Sequence, residues 1–113
     1  MIESYDFGNM RVFGETHHDD LKIIENKVIG NWWRRQGHIL HTEDIADILE
    51  APVEILVVGT GEYGNVKVPS EVAEAVSQRG IEFIATPTRE AVSTFNNLRA
   101  QGKRVAGAFH LTC

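Results

Sequence analysis

Residues 53–61 read Val53-Glu54-Ile55-Leu56-Val57-Val58-Gly59-Thr60-Gly61, and the four residues from Ile55 to Val58 form an unbroken apolar run. A strand with one wet face alternates, whereas a continuous run of this length belongs to a strand covered on both faces, so layers are expected above and below it. Beyond the run, Pro69 suits a first helical turn, Val72, Ala75, Val76 and Arg79 lie along one side, and Gly80 stops the helix. Residues 81–85 make a second buried strand. Thr86 or Thr88 then caps a second helix with Pro87 in its first turn, and Ala91, Val92, Phe95 and Leu98 give its apolar stripe up to Gly102. Residues 105–111, built largely from small side chains, make a third strand. The half after Val53 is therefore β-α-β-α-β, and right-handed crossovers make its first two strands parallel.

Ahead of Pro52 the chain has another character. Tyr5 and Phe7 alternate with polar neighbours, Gly8-Asn9 tolerates a turn, and Met10 and Val12 resume the alternation, which predicts a hairpin. A second hairpin is predicted to turn at Asn26-Lys27, between residues 21–25 and 28–29. From Thr42, read as an N-cap, Glu43 and Asp44 complement the helix dipole and Ile45, Ile48 and Leu49 share a face until Pro52 ends the helix. This strand-rich half has to cover or extend the sheet.

The whole chain, residues 1–113, reads as one domain. A hydrophobic fraction of 42% and no apolar run of bilayer-spanning length predict a protein that does not enter membranes. Met1-Ile2-Glu3-Ser4-Tyr5-Asp6 has neither a basic flank nor an apolar stretch, so the cytoplasm is the expected compartment. A net charge of -5 opposes binding to nucleic acid. The single cysteine, Cys113, excludes an internal disulfide, and the α-carboxylate beside it disfavours a nucleophilic thiolate.

Gly59-Thr60-Gly61-Glu62-Tyr63-Gly64 spells a dinucleotide fingerprint after a buried strand. In that fingerprint the helix opens within the glycines, but here Asn65-Val66-Lys67-Val68-Pro69 intervenes, with Val66 and Val68 alternating like a short strand. The acidic residue expected at the end of the second strand is also missing. A structural turn is the expectation. The carboxyl ends of the strands still border the usual ligand crevice of open α/β sheets. Gly59, Thr60, Gly61, Thr86 and Thr88 would offer amides and hydroxyls there to a small anion or polar metabolite. His110 is the one nearby acid or base. His38 and His41, His110 and Cys113, and His17-His18-Asp19-Asp20 raise a metal question, but their spacings do not suit the elements that carry them, so no metal and no cofactor are expected. Trp32-Trp33-Arg34-Arg35 joins residue types enriched at binding hot spots; one tryptophan is assigned to the core and the other, with Arg34 and Arg35, to a protein-binding patch.

The order of Val57-Val58-Gly59-Thr60-Gly61, Val68-Pro69-Ser70, Arg79-Gly80-Ile81, Phe95-Asn96-Asn97-Leu98, Arg104-Val105-Ala106-Gly107 and Phe109-His110-Leu111-Thr112-Cys113 resembles one family. That family includes the adipogenesis-associated domain protein and a mitochondrial complex I assembly factor. The Val-Pro-Ser segment and the Phe-His-x-Thr-Cys ending match its adipogenesis-associated branch. The resemblance implies an α/β fold of three layers around a mixed sheet, not a true Rossmann fold, with helices on one face and the strand-rich segment plus a short helix on the other. It implies one strand antiparallel to its neighbours, taken to be the last. It also implies action through a protein partner, with self-association open, and no assigned chemistry. Gly59, Thr60, Gly61, Thr88, Asn96 and His110 fall at its signature positions.

Overall fold

The computed structural model describes residues 1–113. The chain opens with a three-stranded antiparallel sheet, β1 (Ile2–Asp6), β2 (Asn9–Val12) and β3 (Glu15–His17), in the order β1-β2-β3. A bulge between Ile2 and Ser4 shifts the side-chain alternation, so Ile2 and Tyr5 both reach the core with Met10 and Val12. The next hairpin is β4 (Leu21–Ile24) and β5 (Lys27–Ile29). Its turn is Glu25-Asn26, one residue earlier than predicted, with φ of +50° and +72° at these two positions, the left-handed pair that a two-residue hairpin turn requires.

A 3₁₀ turn (Thr42–Ile45) runs into a single turn of helix, α1 (Ala46–Leu49). His41, not Thr42, holds the N-cap position, because the Asp44 carboxylate reaches back to the His41 amide at 2.7 Å. The remainder is β6 (Ile55–Thr60), α2 (Ser70–Gln78), β7 (Glu82–Thr86), α3 (Thr88–Ala100) and β8 (Val105–His110). Pro69 and Pro87 sit at the N-cap positions of α2 and α3, one place before the first turn where they were expected. Between β6 and α2 the predicted short strand reduces to one parallel bridge, Ile39 to Lys67.

The main sheet has the order β5-β4-β8-β6-β7. β6 pairs in parallel with both β7 and β8, and β4 pairs antiparallel with β8. The strand that opposes its neighbours is therefore β4, not the last strand. Crossovers through α2 and α3 keep β6, β7 and β8 parallel, and the reversal is left to the hairpin that arrives from the other half of the chain.

The three layers are also composed differently from the expected arrangement. The step from β6 out to β7 and the longer step back past β6 to β8 run in opposite directions, so crossovers of one hand place α2 and α3 on opposite faces. Alternation along β6 displays this. Ile55 and Val57 pack with Ala91 and Phe95 of α3 and with Ile2, Tyr5, Met10 and Val12 of the small sheet. Leu56 and Val58 pack with Val72 and Val76 of α2 and with Trp32, Ile45 and Ile48. Each face thus has its own cover, and β6 and β8 are buried along their whole length.

Candidate functional site

At the carboxyl edge of the parallel strands, β6 ends at Thr60, β7 at Thr86 and β8 at His110. Because the following helices leave to opposite faces, this is the switch point at which open α/β sheets hold ligands. The glycine turn occupies one part of the edge. A Cβ on Gly59 would stand 2.8 Å from Thr88 Oγ1 and 2.9 Å from the Phe109 ring. Gly61, at φ +105°, carries the carbonyls of Cys113 and Thr112 so close above it that a Cβ would lie 2.7 and 2.9 Å from them. The amides here are bonded within the chain: Gly61 N–H donates to Thr88 Oγ1 at 2.8 Å and Glu62 N–H to the Thr112 carbonyl at 2.7 Å. The fully buried Thr88 hydroxyl in turn donates to the His110 carbonyl at 2.6 Å. Thr88 therefore joins the ends of β6 and β8. Thr60 and Thr86 flank this joint, the Thr86 hydroxyl donating to Glu90 at 2.7 Å. Asn96 lies elsewhere, clamping the Ile2 amide and carbonyl at 3.0 and 2.8 Å to hold β1 on α3.

The other part of the edge surrounds His110. Its Nδ1 lies 2.7 Å from Asp20 Oδ2, and Asp20 Oδ1 accepts the Leu111 amide at 2.8 Å. Arg34 Nη1 stands 2.8 Å from the same Asp20 Oδ2, and Arg34 Nη2 3.1 Å from His110 Nδ1. Burial pushes the Asp20 carboxyl up, but the His110 hydrogen bond, the Leu111 amide, the positive charge His110 carries when protonated and the Arg34 guanidinium 2.8 Å away outweigh it and hold the carboxyl below its ordinary range. An ionised carboxylate only accepts, so Nδ1 carries the proton of the bond to Asp20, and whenever the ring is uncharged its lone pair is on Nε2. The Arg34 approach to Nδ1 is then a contact without a hydrogen bond. Although Nη1 is near Asp20, its N–H bonds are not aligned on any acceptor. Arg34 is 5% exposed in its side chain and is held by its Nε bond to the Gly37 carbonyl at 2.8 Å and by the Trp32 ring at 5.0 Å.

Local sequence explains how this loop is placed. Asp44 accepts the amides of Arg35 and His41 on its carboxylate, and its carbonyl accepts Trp32 Nε1 at 3.1 Å. Trp32 N–H donates to the Asp20 carbonyl at 2.8 Å. Trp32 is the buried tryptophan, and Trp33, 78% exposed, is the outward one. Arg34 does not join a surface patch, since it is turned inward onto Asp20, whereas Arg35 is exposed and paired with Glu43 at 2.8 Å.

A cavity of about 470 Å³ opens beside these groups, lined by Asp19, Asp20, Trp33, Arg34, His38 and His110 among others. The His38 ring stands edge-on to His110, with centroids 5.5 Å apart. His110 Nε2 has the Thr112 hydroxyl at 3.5 Å. The arrangement can accept a hydrogen bond or a proton at Nε2, with Asp20 stabilising the imidazolium that results. A depression of about 490 Å³ between α1 and α2 is slightly larger, but its Arg79 is paired with Glu50 and it lies away from His110. No three His, Cys, Asp or Glu side chains converge as a metal-binding group. The sequence raises Asp20 and His38 only within separate metal questions, His17-His18-Asp19-Asp20 and His38 with His41, and places neither beside His110. The first of these clusters is the available signal for Asp20.

Several known proteins are similar to this chain. NADH dehydrogenase [ubiquinone] 1 alpha subcomplex assembly factor 3 of Homo sapiens is 34% identical over 110 residues, which are 95% of this chain and 58% of that protein. The chain thus spans under two thirds of the length of this relative. A conserved hypothetical protein from Pyrococcus horikoshii OT3 has the same fold, with a TM-score of 0.86, 27% identity and coverage of 100% of this chain and 99% of its own. An outer membrane protein from Bartonella henselae matches with a TM-score of 0.84 and 27% identity over 99% of this chain and 94% of its own. The resemblance to a family that includes a complex I assembly factor therefore holds. Residues 2–110 match the family described as "Protein of unknown function (DUF498/DUF598)", and the chain belongs to that family.

Proposed function

We propose that this protein is a small cytoplasmic assembly module that acts by binding a protein partner through the carboxyl edge of its sheet, with Trp33 as the anchor. Trp33 carries the reading. It is a large amphipathic ring, 78% exposed, on a loop that Asp44, Trp32 and Arg34 hold in place. An exposed tryptophan on a preorganised loop loses little freedom on binding and buries much apolar area, the combination found at hot spots. The assembly role named for the human relative supports the reading. No helix of the chain is long and apolar enough to cross a membrane, in keeping with a partner met in solution.

Affinity capture from native extract tests the proposal, with wild-type protein and Trp33→Ala as paired baits. Arg34 is left unchanged, because its substitution would empty a buried ion pair. A stoichiometric partner held by the wild type and weakened about 30-fold or more by Trp33→Ala is the expected result. Equal recovery by both baits, or recovery of nothing above background, counts against it.

A further inference from the structure

We propose that the cavity beside His110 is a binding site for a small planar ligand that bears an N–H donor and no net negative charge. Four observations lead there. The cavity stands at the carboxyl end of β8, against the residues that lead into β4, and its volume of about 470 Å³ lies within the usual range for small-molecule sites. Its walls are rich in rings, with Trp33 at its open side and His38 edge-on to His110, which suits a flat ligand better than a branched one. One polar atom in it is oriented: Nδ1 is tied to Asp20, so Nε2 presents a lone pair, and its one neighbour, the Thr112 hydroxyl, is distant at 3.5 Å. Finally, the lining carries the carboxylates of Asp19 and Asp20 against the single guanidinium of Arg34, which is committed to Asp20, so a phosphate or carboxylate would meet repulsion.

The ligand class that answers all four is a neutral or cationic heteroaromatic amine. Its ring lies against Trp33, its N–H donates to His110 Nε2, and a positive charge on it faces Asp19. This differs from the anion first expected at the glycine turn, whose Gly61 and Glu62 amides are bonded within the chain. The inference does not rest on the protein-binding reading, since it is tested with no partner present.

The probe is 2-aminobenzimidazole, added to the full chain while the Trp33 indole and the His110 ring are followed by ¹H–¹⁵N NMR. Saturable shifts of both rings are expected, with affinity falling about tenfold or more when every N–H of the probe is methylated or when His110 is replaced by Phe. Trp33→Ala, at an exposed position, keeps the test sound if His110→Phe fails to fold, and it should weaken the probe about fivefold or more. Benzoate, planar but anionic, should not bind. The proposal is overturned if neither ring shows a saturable shift, if benzoate binds as well as the amine, or if Trp33→Ala leaves the affinity unchanged.

Discussion

Asp20 is the residue on which the candidate site depends, because it accepts from His110 and Leu111 and neutralises the inward-turned Arg34. With side chains only 15% and 5% exposed, Asp20 and Arg34 form a pair whose disruption leaves a buried cation uncompensated. Asp20→Asn is expected to destabilise the fold by about 3 kcal/mol near neutral pH. The sign of the pH dependence follows from the lowered carboxyl: the folded chain binds the proton less readily than the unfolded one. The stabilisation is therefore complete above the ordinary aspartate value of 3.8 and is lost as pH falls through the lower folded value. Thermal melts of wild type and Asp20→Asn should differ most at neutral pH and converge in acid. A gap that stays constant to the acid limit would show that the carboxylate's charge is not what matters.

At the scale of elements, the most informative joint is Thr88, the first residue of α3. Its hydroxyl accepts from Gly61 and donates to His110 with no exposure to solvent. Thr88→Val keeps the shape and removes both bonds, leaving the buried Gly61 amide without its acceptor, at a cost of roughly 2 to 4 kcal/mol. Thr88→Ser should recover most of that, and paired chemical-denaturation curves decide it. The other helix contact is hydrophobic: Phe95 is fully buried and meets Phe109 edge-on at 5.8 Å. Phe95→Ala should cost roughly 3 to 5 kcal/mol by the same measurement, and an unchanged midpoint would refute its place in the core. Phe95 was legible in the sequence, since it falls on a helical stripe. The 85 to 88 region was only partly so: a threonine near a helix start reads as a cap, and its actual partners belong to other strands.

For the whole molecule, periodicity made the β-α-β-α-β half readable and left its spatial order open. The sequence does not state that β8 enters between β4 and β6, and that insertion decides both which strand is antiparallel and which face each helix covers. Strand β3, a short polar segment with no alternation, carried no local signal. The candidate site was hidden for the same reason of distance, since Asp20 and His110 lie 90 positions apart and Arg34 and His110 76. Local context made Arg34 look like part of a surface patch beside two tryptophans; only the closed fold turns it onto Asp20. Trp33 survives as the outward residue, and the function proposed for the molecule depends on it. The decisive measurement is photo-crosslinking from a benzophenone-bearing amino acid placed at position 33, where it keeps a large exposed aromatic ring in place of the indole, compared with the same group at Lys103, beside the amino-terminal end of β8 and in the loop that precedes it. A defined partner trapped from position 33 and not from 103 is the predicted result. Equal trapping from both positions, no trapping from either, or cross-links from 33 only to a second copy of this chain would contradict docking of a separate protein at this edge.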